Sequence, residues 1–169
     1  MIVKTSRKGE FPMDISIELQ MLGKIFIASV LGGLVGLERE FAEKPAGLRT
    51  HMLVGATSAF FIILATRIIA SFDAQDIINV DPLRIIEAIV VGISFLGAGT
   101  IFKYTRQGEG VVEGLTTSAS ILSVAAIGIA VALNAFILAV GATVLNLFIN
   151  WGLLYFLSRL KPLNSSKER

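Results

Sequence analysis

From Gly114 to Ser158 the chain runs for 45 residues without one charged side chain. As a single α-helix that stretch would measure about 67 Å, more than twice the ~30 Å hydrocarbon core of a bilayer. It has to fold back on itself, and Asn134 near its middle is the natural turn. The stretch therefore reads as a tight hairpin of two helices, Gly114–Leu133 and Ala135–Leu157. Across all 169 residues, 54% are hydrophobic and 17% charged, which disfavours a soluble enzyme and makes an integral membrane protein the default.

Three earlier segments are long and apolar enough to add further spans. The first is Ile17–Leu37, where Lys24 can snorkel toward one interface. The second runs from Met52 past Arg67 to Phe72, and the third from Asp81-Pro82 to Phe102, with Glu87 its only charge beyond the first turn. A β-barrel would need short segments alternating apolar and polar residues, and these runs are continuously apolar. The expected fold is thus an all-α, polytopic bundle of five transmembrane helices. Residues 1–16 form a polar N-terminal tail, part of it foreign to the natural chain if Met13 is the natural start. Residues 17–158 form the transmembrane domain and 159–169 a short basic tail. No cleavable signal peptide is expected, since the first twelve residues are polar.

Five spans place the termini on opposite sides. One side carries nine basic residues, in the loops Glu38–Arg49 and Lys103–Glu113 and the C-terminal tail; the other carries six. The positive-inside rule puts the nine-residue side in the cytoplasm and the N-terminus outside. A net charge of only +2, clustered at helix ends, gives no expectation of nucleic-acid binding.

Chemistry is narrowed as firmly. With no cysteine and one histidine, the chain offers no disulfide framework, no thiol nucleophile and no His-pair metal motif. It has no His-Glu-x-x-His motif, nucleophile elbow or phosphate loop. Neither an enzyme nor a bound cofactor is expected. His51 reads as a packing or capping residue at a helix start.

Small residues mark where helices approach closely in lipid. Gly32 and Gly36 in the first span, and Gly92, Gly97 and Gly99 in the third, are the candidate packing positions. Spans one, three and four are expected to pack tightly, with the Leu- and Phe-rich fifth facing lipid or a partner and Trp151 and Tyr155 in an interfacial belt. The Gly32/Gly36 face also suggests a homodimer.

Ionisable residues in membrane segments are costly and so become candidate functional groups. On the inner side, Glu38, Arg39, Arg49 and Thr50 form one polar cluster. Glu38 and Arg49 are expected to pair at the membrane boundary, directly or through Arg39, and Arg39 and Glu43 would meet if the helix continued. On the outer side stand Arg67, Asp81, Arg84 and Glu87. Asp81 is placed to cap a helix begun by Pro82, and Arg67 is at a depth to pair with Glu87 or Asp81. Asp81 and Glu87 are the candidate oxygen ligands for a hard cation such as Mg2+, although the nearby arginines weaken such a site.

Four blocks together resemble the MgtC/SapB family of bacterial inner-membrane proteins: GGLVGLER from Gly32, AGLRTHMLVG from Ala46, DPLRIIEAIVVGISFLGAG from Asp81 and GLTTSASILSVAAIG from Gly114. They occur in the family's order. The resemblance implies a five-helix inner-membrane domain and roles in growth at low magnesium, acid or intracellular stress, and virulence. For some members it implies control of membrane potential through the F-type ATP synthase. In the fourth block it draws attention to Gly114, Thr116, Thr117, Ser120 and Ser123. Relatives often carry an amide where this chain has Glu87, and many carry a C-terminal ACT-like domain, which is not expected here. Two functions stand at this point: a non-enzymatic regulator acting through other membrane proteins, and a transporter or channel for Mg2+ or another small ion.

Overall fold

The computed structural model describes residues 14–70, 81, 83–106 and 109–152. Five α-helices follow one another: α1 (Ile15–Phe41), α2 (Leu48–Ala70), α3 (Leu83–Ala98), α4 (Leu115–Ala132) and α5 (Phe136–Leu147). Strands β1 (Phe102–Arg106) and β2 (Glu109–Glu113) separate α3 from α4, and a π-helical turn, Phe148–Gly152, continues α5. Helices α1, α2 and α4 are long and apolar enough to cross a membrane, and Phe136–Gly152 forms a shorter apolar helix.

Each helix boundary has a local cause. Asp14 caps α1 by accepting from the Ser16 amide at 3.0 Å, and hydrogen bonds from the Ser16 side chain and then its amide hold the carboxyl below the usual carboxylate range. The first turn of α2 receives its cap from α1, since the Glu40 carboxylate accepts from the Leu48 amide at 2.9 Å. Asp81 caps α3 as expected, accepting from the Leu83 amide at 2.9 Å. Asn134 makes the expected turn, adopting φ 63°, the left-handed conformation that asparagine tolerates better than most residues. The Ala135 amide then closes onto the Ala130 carbonyl at 2.9 Å.

The segment expected as the loop Lys103–Glu113 is instead an antiparallel hairpin, with Phe102 opposite Glu113 and Tyr104 opposite Val111. The third helix accordingly stops at Ala98 rather than Phe102. Aromatic and β-branched residues in Phe102–Arg106 favour extended backbone, and the Thr100 hydroxyl donates to the Gly97 carbonyl at 2.7 Å, closing the turn between α3 and β1. Gly114 then joins β2 to α4 at φ 91°, where an added Cβ would run into the Thr100 carbonyl.

The packing differs from the expected grouping of spans one, three and four. The centre is α1, α2 and α4, brought together backbone to backbone. A Cβ on Gly32 would lie 2.5 Å from the His51 carbonyl, one on Gly55 2.6 Å from that of Ala28, and one on Gly128 against that of Gly55. The C-terminal end of helix α4 is enclosed, with every residue from Ile127 to Ala132 buried, whereas Leu115, Leu122 and Ala126 are exposed. Helix α3 lies at the margin and buries only Ile89 and Gly97, the latter against Ser118. Gly92 and Gly99 are not packing glycines: the first has open space where a Cβ would stand, and the second meets only carbonyls of its own helix.

Large apolar side chains cover the outside. Leu19, Leu22 and Phe26 on α1 and Val91 and Phe95 on α3 are all well exposed, Phe26 by 70%. A water-soluble surface seldom carries so extended an apolar face, and hydrocarbon is its natural neighbour.

Candidate functional site

The polar residues of the bundle gather at the end that holds the α1–α2 turn and the β-hairpin. His51, in the first turn of α2, is 0% exposed. Its Nδ1 lies 2.9 Å from the Gly47 carbonyl and its Nε2 2.9 Å from Ser120 Oγ on α4. A carbonyl can only accept, so Nδ1 carries the proton; in the neutral ring Nε2 then accepts from the Ser120 hydroxyl. Gly36 makes this burial feasible, because a Cβ there would stand 2.8 Å from that of His51.

Beside His51, and within electrostatic range of it, lies the ion pair Glu38–Arg39. Arg39 Nε and Nη2 donate to the two Glu38 oxygens at 2.7 and 2.9 Å, although Arg39 is only 2% exposed. The expected Glu38–Arg49 pair is not formed. Arg49 and Thr50 are exposed, whereas the next residue, His51, turns inward, so α2 points Arg49 away while the adjacent guanidinium occupies both carboxylate oxygens. Nor do Arg39 and Glu43 meet, since α1 ends at Phe41 and Glu43 sits at φ 53° in the turn.

Ser120 also borders a crevice of about 270 Å3 between α4 and α5, lined by Thr116, Ser123, Asn146, Asn150 and small or aliphatic neighbours. Asn146 Nδ2 donates to Ser123 Oγ at 2.6 Å, and Asn150 Nδ2 to Asn146 Oδ1 at 2.9 Å. The His51–Ser120 bond and the Ser123–Asn146–Asn150 chain thus meet at one crevice and form a polar seam across α2, α4 and α5. All its side chains except His51 are neutral hydroxyls or carboxamides, able to donate and accept hydrogen bonds but not to supply charge to a bare cation.

The sequence brought Glu38, Arg39, Ser120 and Ser123 forward, and the structure gathers them here. Gly114 serves the hairpin junction, Thr117 is buried in the first turn of α4, and Thr116 is exposed at the mouth of the crevice. His51, expected as a packing or capping residue, does pack, fully buried against Gly36, and it also links α2 to Ser120. The role of Asn146 and Asn150 was not foreseen, although their i, i+4 spacing in an apolar helix was the available signal. At the opposite end, Asp81 caps α3 while Arg84 and Glu87 are exposed, and no ion pair links the three among the described residues. Arg67 stands in the last turn of α2. Pro82 and Tyr155 lie outside the described residues, and among those described no three acidic, histidine or cysteine residues gather to hold a metal.

The profile of the MgtC family matches residues 25–159, which contain the whole seam. The chain belongs to the MgtC family. Three relatives show its breadth. The Escherichia coli K12 protein titled "Putative magnesium transporter YhiD" is 35% identical over 126 residues, 75% of this chain and 57% of the relative. SapB of Bacillus subtilis 168 is 38% identical over 68% of this chain and 48% of its own length. MgtC of Brucella abortus 2308 is 43% identical over 60% of this chain and 38% of its own. This MgtC-family chain therefore spans about half the length of the relatives it matches. No solved structure matches it.

Proposed function

We propose that this MgtC-family chain is a non-enzymatic regulator of the bacterial inner membrane, linked to magnesium limitation, acid or intracellular stress and virulence. In this reading it acts by contact with other membrane proteins, the F-type ATP synthase among them. Its helices cross the bilayer five times, with the N-terminus outside and the C-terminus in the cytoplasm, and two copies associate. The observation that carries the reading is the closure of the bundle centre. Gly32, Gly55 and Gly128 bring α1, α2 and α4 into backbone contact, and mainly aliphatic residues fill what remains, with a few small polar ones such as Ser58 and Thr117. A path for a hydrated ion needs a polar lumen, whereas here His51 and Ser120 are buried and bonded to each other, and the crevice beyond them opens to the side, between α4 and α5. Because Gly32 and Gly36 are already spent on α2, a homodimer would use another face.

The competing function is transport of Mg2+ or another small ion, which the name of the Escherichia coli relative suggests for that protein. Proteoliposomes of the purified chain, loaded with a Mg2+-sensitive dye, separate the two. The expected result is Mg2+ entry no faster than in empty liposomes, together with recovery of a second membrane protein after mild detergent extraction from magnesium-starved cells. Flux above the empty-liposome rate would establish the transporter instead, and recovery of this chain alone would remove the regulator.

A further inference from the structure

The crevice between α4 and α5 holds more hydrogen-bond donors than the protein uses. Each carboxamide nitrogen carries two N–H groups. Asn146 spends one on Ser123 and Asn150 one on Asn146, so among the described residues one N–H remains on each. Ser123 accepts from Asn146 and keeps its own hydroxyl hydrogen, and the Thr116 hydroxyl makes no hydrogen bond among the described residues. Asn150 is only 6% exposed, so its unspent N–H has the crevice as its outlet. In hydrocarbon an unspent donor is costly, and no bulk water is at hand to satisfy it.

The rest of the lining is apolar. Leu145 and Ile149 form an exposed rim, with Ala119 and Ala142 beside them. The crevice starts at Thr116, in the first turn of α4 and directly after the charged hairpin end at Glu113. It reaches Ser123, seven residues further on, or about 10 Å along the helix. An occupant must therefore enter sideways near the polar boundary, present acceptor oxygens without needing a counter-charge, and continue as an aliphatic chain. A space of about 270 Å3 suits a fragment of about that size and no more.

We propose that the α4–α5 crevice is a binding site for an ester-linked glycerophospholipid of the adjoining leaflet. Its ester carbonyls accept from Asn146, Asn150 and Ser123, and the first methylenes of its acyl chain lie along Leu145 and Ile149. Ser120 shares a wall with this site, so an occupying lipid would also be felt at His51.

The test uses the full chain in liposomes of phosphatidylethanolamine and phosphatidylglycerol, doped with phosphatidylglycerol bearing a diazirine near the top of one acyl chain. Photo-adducts are expected to concentrate on residues 142–150, several-fold above those on Leu19–Phe26, which also faces lipid. Asn150→Leu combined with Ser123→Ala should lower the crevice adducts about fivefold, the loss of one or two hydrogen bonds, and leave the α1 adducts unchanged. Asn150→Gln should retain them. A second arm needs no variant: unlabelled ester-linked phosphatidylglycerol should compete for the crevice several-fold better than its ether-linked analogue, which lacks the carbonyls. Even labelling of all exposed faces, or equal competition by the two lipids, would overturn the proposal. So would rapid reaction of a Leu145→Cys side chain with a water-soluble maleimide, because the crevice would then be a water-filled inlet. The chain has no native cysteine to confuse that readout.

Discussion

His51 Nε2 stands 2.9 Å from Ser120 Oγ, a contact between residues 69 positions apart that joins the first turn of α2 to the second turn of α4. Among the described residues it is the one hydrogen bond between two side chains that ties the α1–α2 half to α4; Lys24 Nζ on α1 also reaches the Ala132 carbonyl, at 3.5 Å. Ser120→Ala would leave Nε2 buried without a donor, a loss of about 1–3 kcal/mol. The thermal unfolding midpoint of the purified protein in detergent should fall accordingly, and Ser120→Thr, which keeps the hydroxyl, should recover part of the loss. An unchanged midpoint in Ser120→Ala would show that the bond contributes nothing to the bundle.

The glycines make a prediction that depends on which neighbour each one meets. Gly128→Ala drives a methyl into the Gly55 carbonyl, backbone that cannot rotate aside, so α2 and α4 must separate. Overpacking of this kind costs about 1–3 kcal/mol or more. Gly92→Ala meets nothing within 4 Å and should gain about 0.5–1 kcal/mol from the stiffer helix. Unfolding midpoints of the two variants measured side by side should therefore move in opposite directions.

The spacing of glycines shows that a helix has a close neighbour, and leaves open which helix it is. That is why Gly32 and Gly36 were legible as packing positions while their partner, α2, was not. Long uncharged runs, the turn at Asn134 and the cap at Asp81 were legible because each follows from local chemistry: bilayer thickness, left-handed backbone, free amides. The hairpin escaped because Lys103–Glu113 was read by its charge, although Phe102-Lys103-Tyr104-Thr105-Arg106 carries the residues that favour a strand. The Glu38–Arg49 pairing assumed that two charges flanking one loop face each other. A helix rotates its residues by 100° each, and that rotation turns His51, not Arg49, toward the interior.

Two left-handed backbone positions should respond to substitution in opposite ways. Gly114 sits at φ 91°, and a Cβ there meets the Thr100 carbonyl. Gly114→Ala thus combines backbone strain of about 1–2 kcal/mol with a clash at the junction of hairpin and α4. Asn134 sits at φ 63° in the open turn after α4, so Asn134→Gly should be tolerated within about 1 kcal/mol. Yield of monodisperse protein after gel filtration, followed by the unfolding midpoint, distinguishes the two.

The last prediction concerns Glu38 and Arg39, whose side chains are 13% and 3% exposed while making two charge-assisted bonds. Removing one member of such a pair leaves the other charge poorly solvated, at a cost of up to about 3–5 kcal/mol; removing both lifts most of that penalty. Glu38→Gln and Arg39→Met should each destabilise the bundle strongly, and the double variant should lose less than the sum of the singles by more than about 1 kcal/mol. Arg49→Met, by contrast, changes an exposed side chain and should stay within about 0.5 kcal/mol. Denaturation in mixed micelles measures all four variants. Additive losses for Glu38 and Arg39, or a loss at Arg49 equal to that at Arg39, would show that the carboxylate is held by something other than its neighbour.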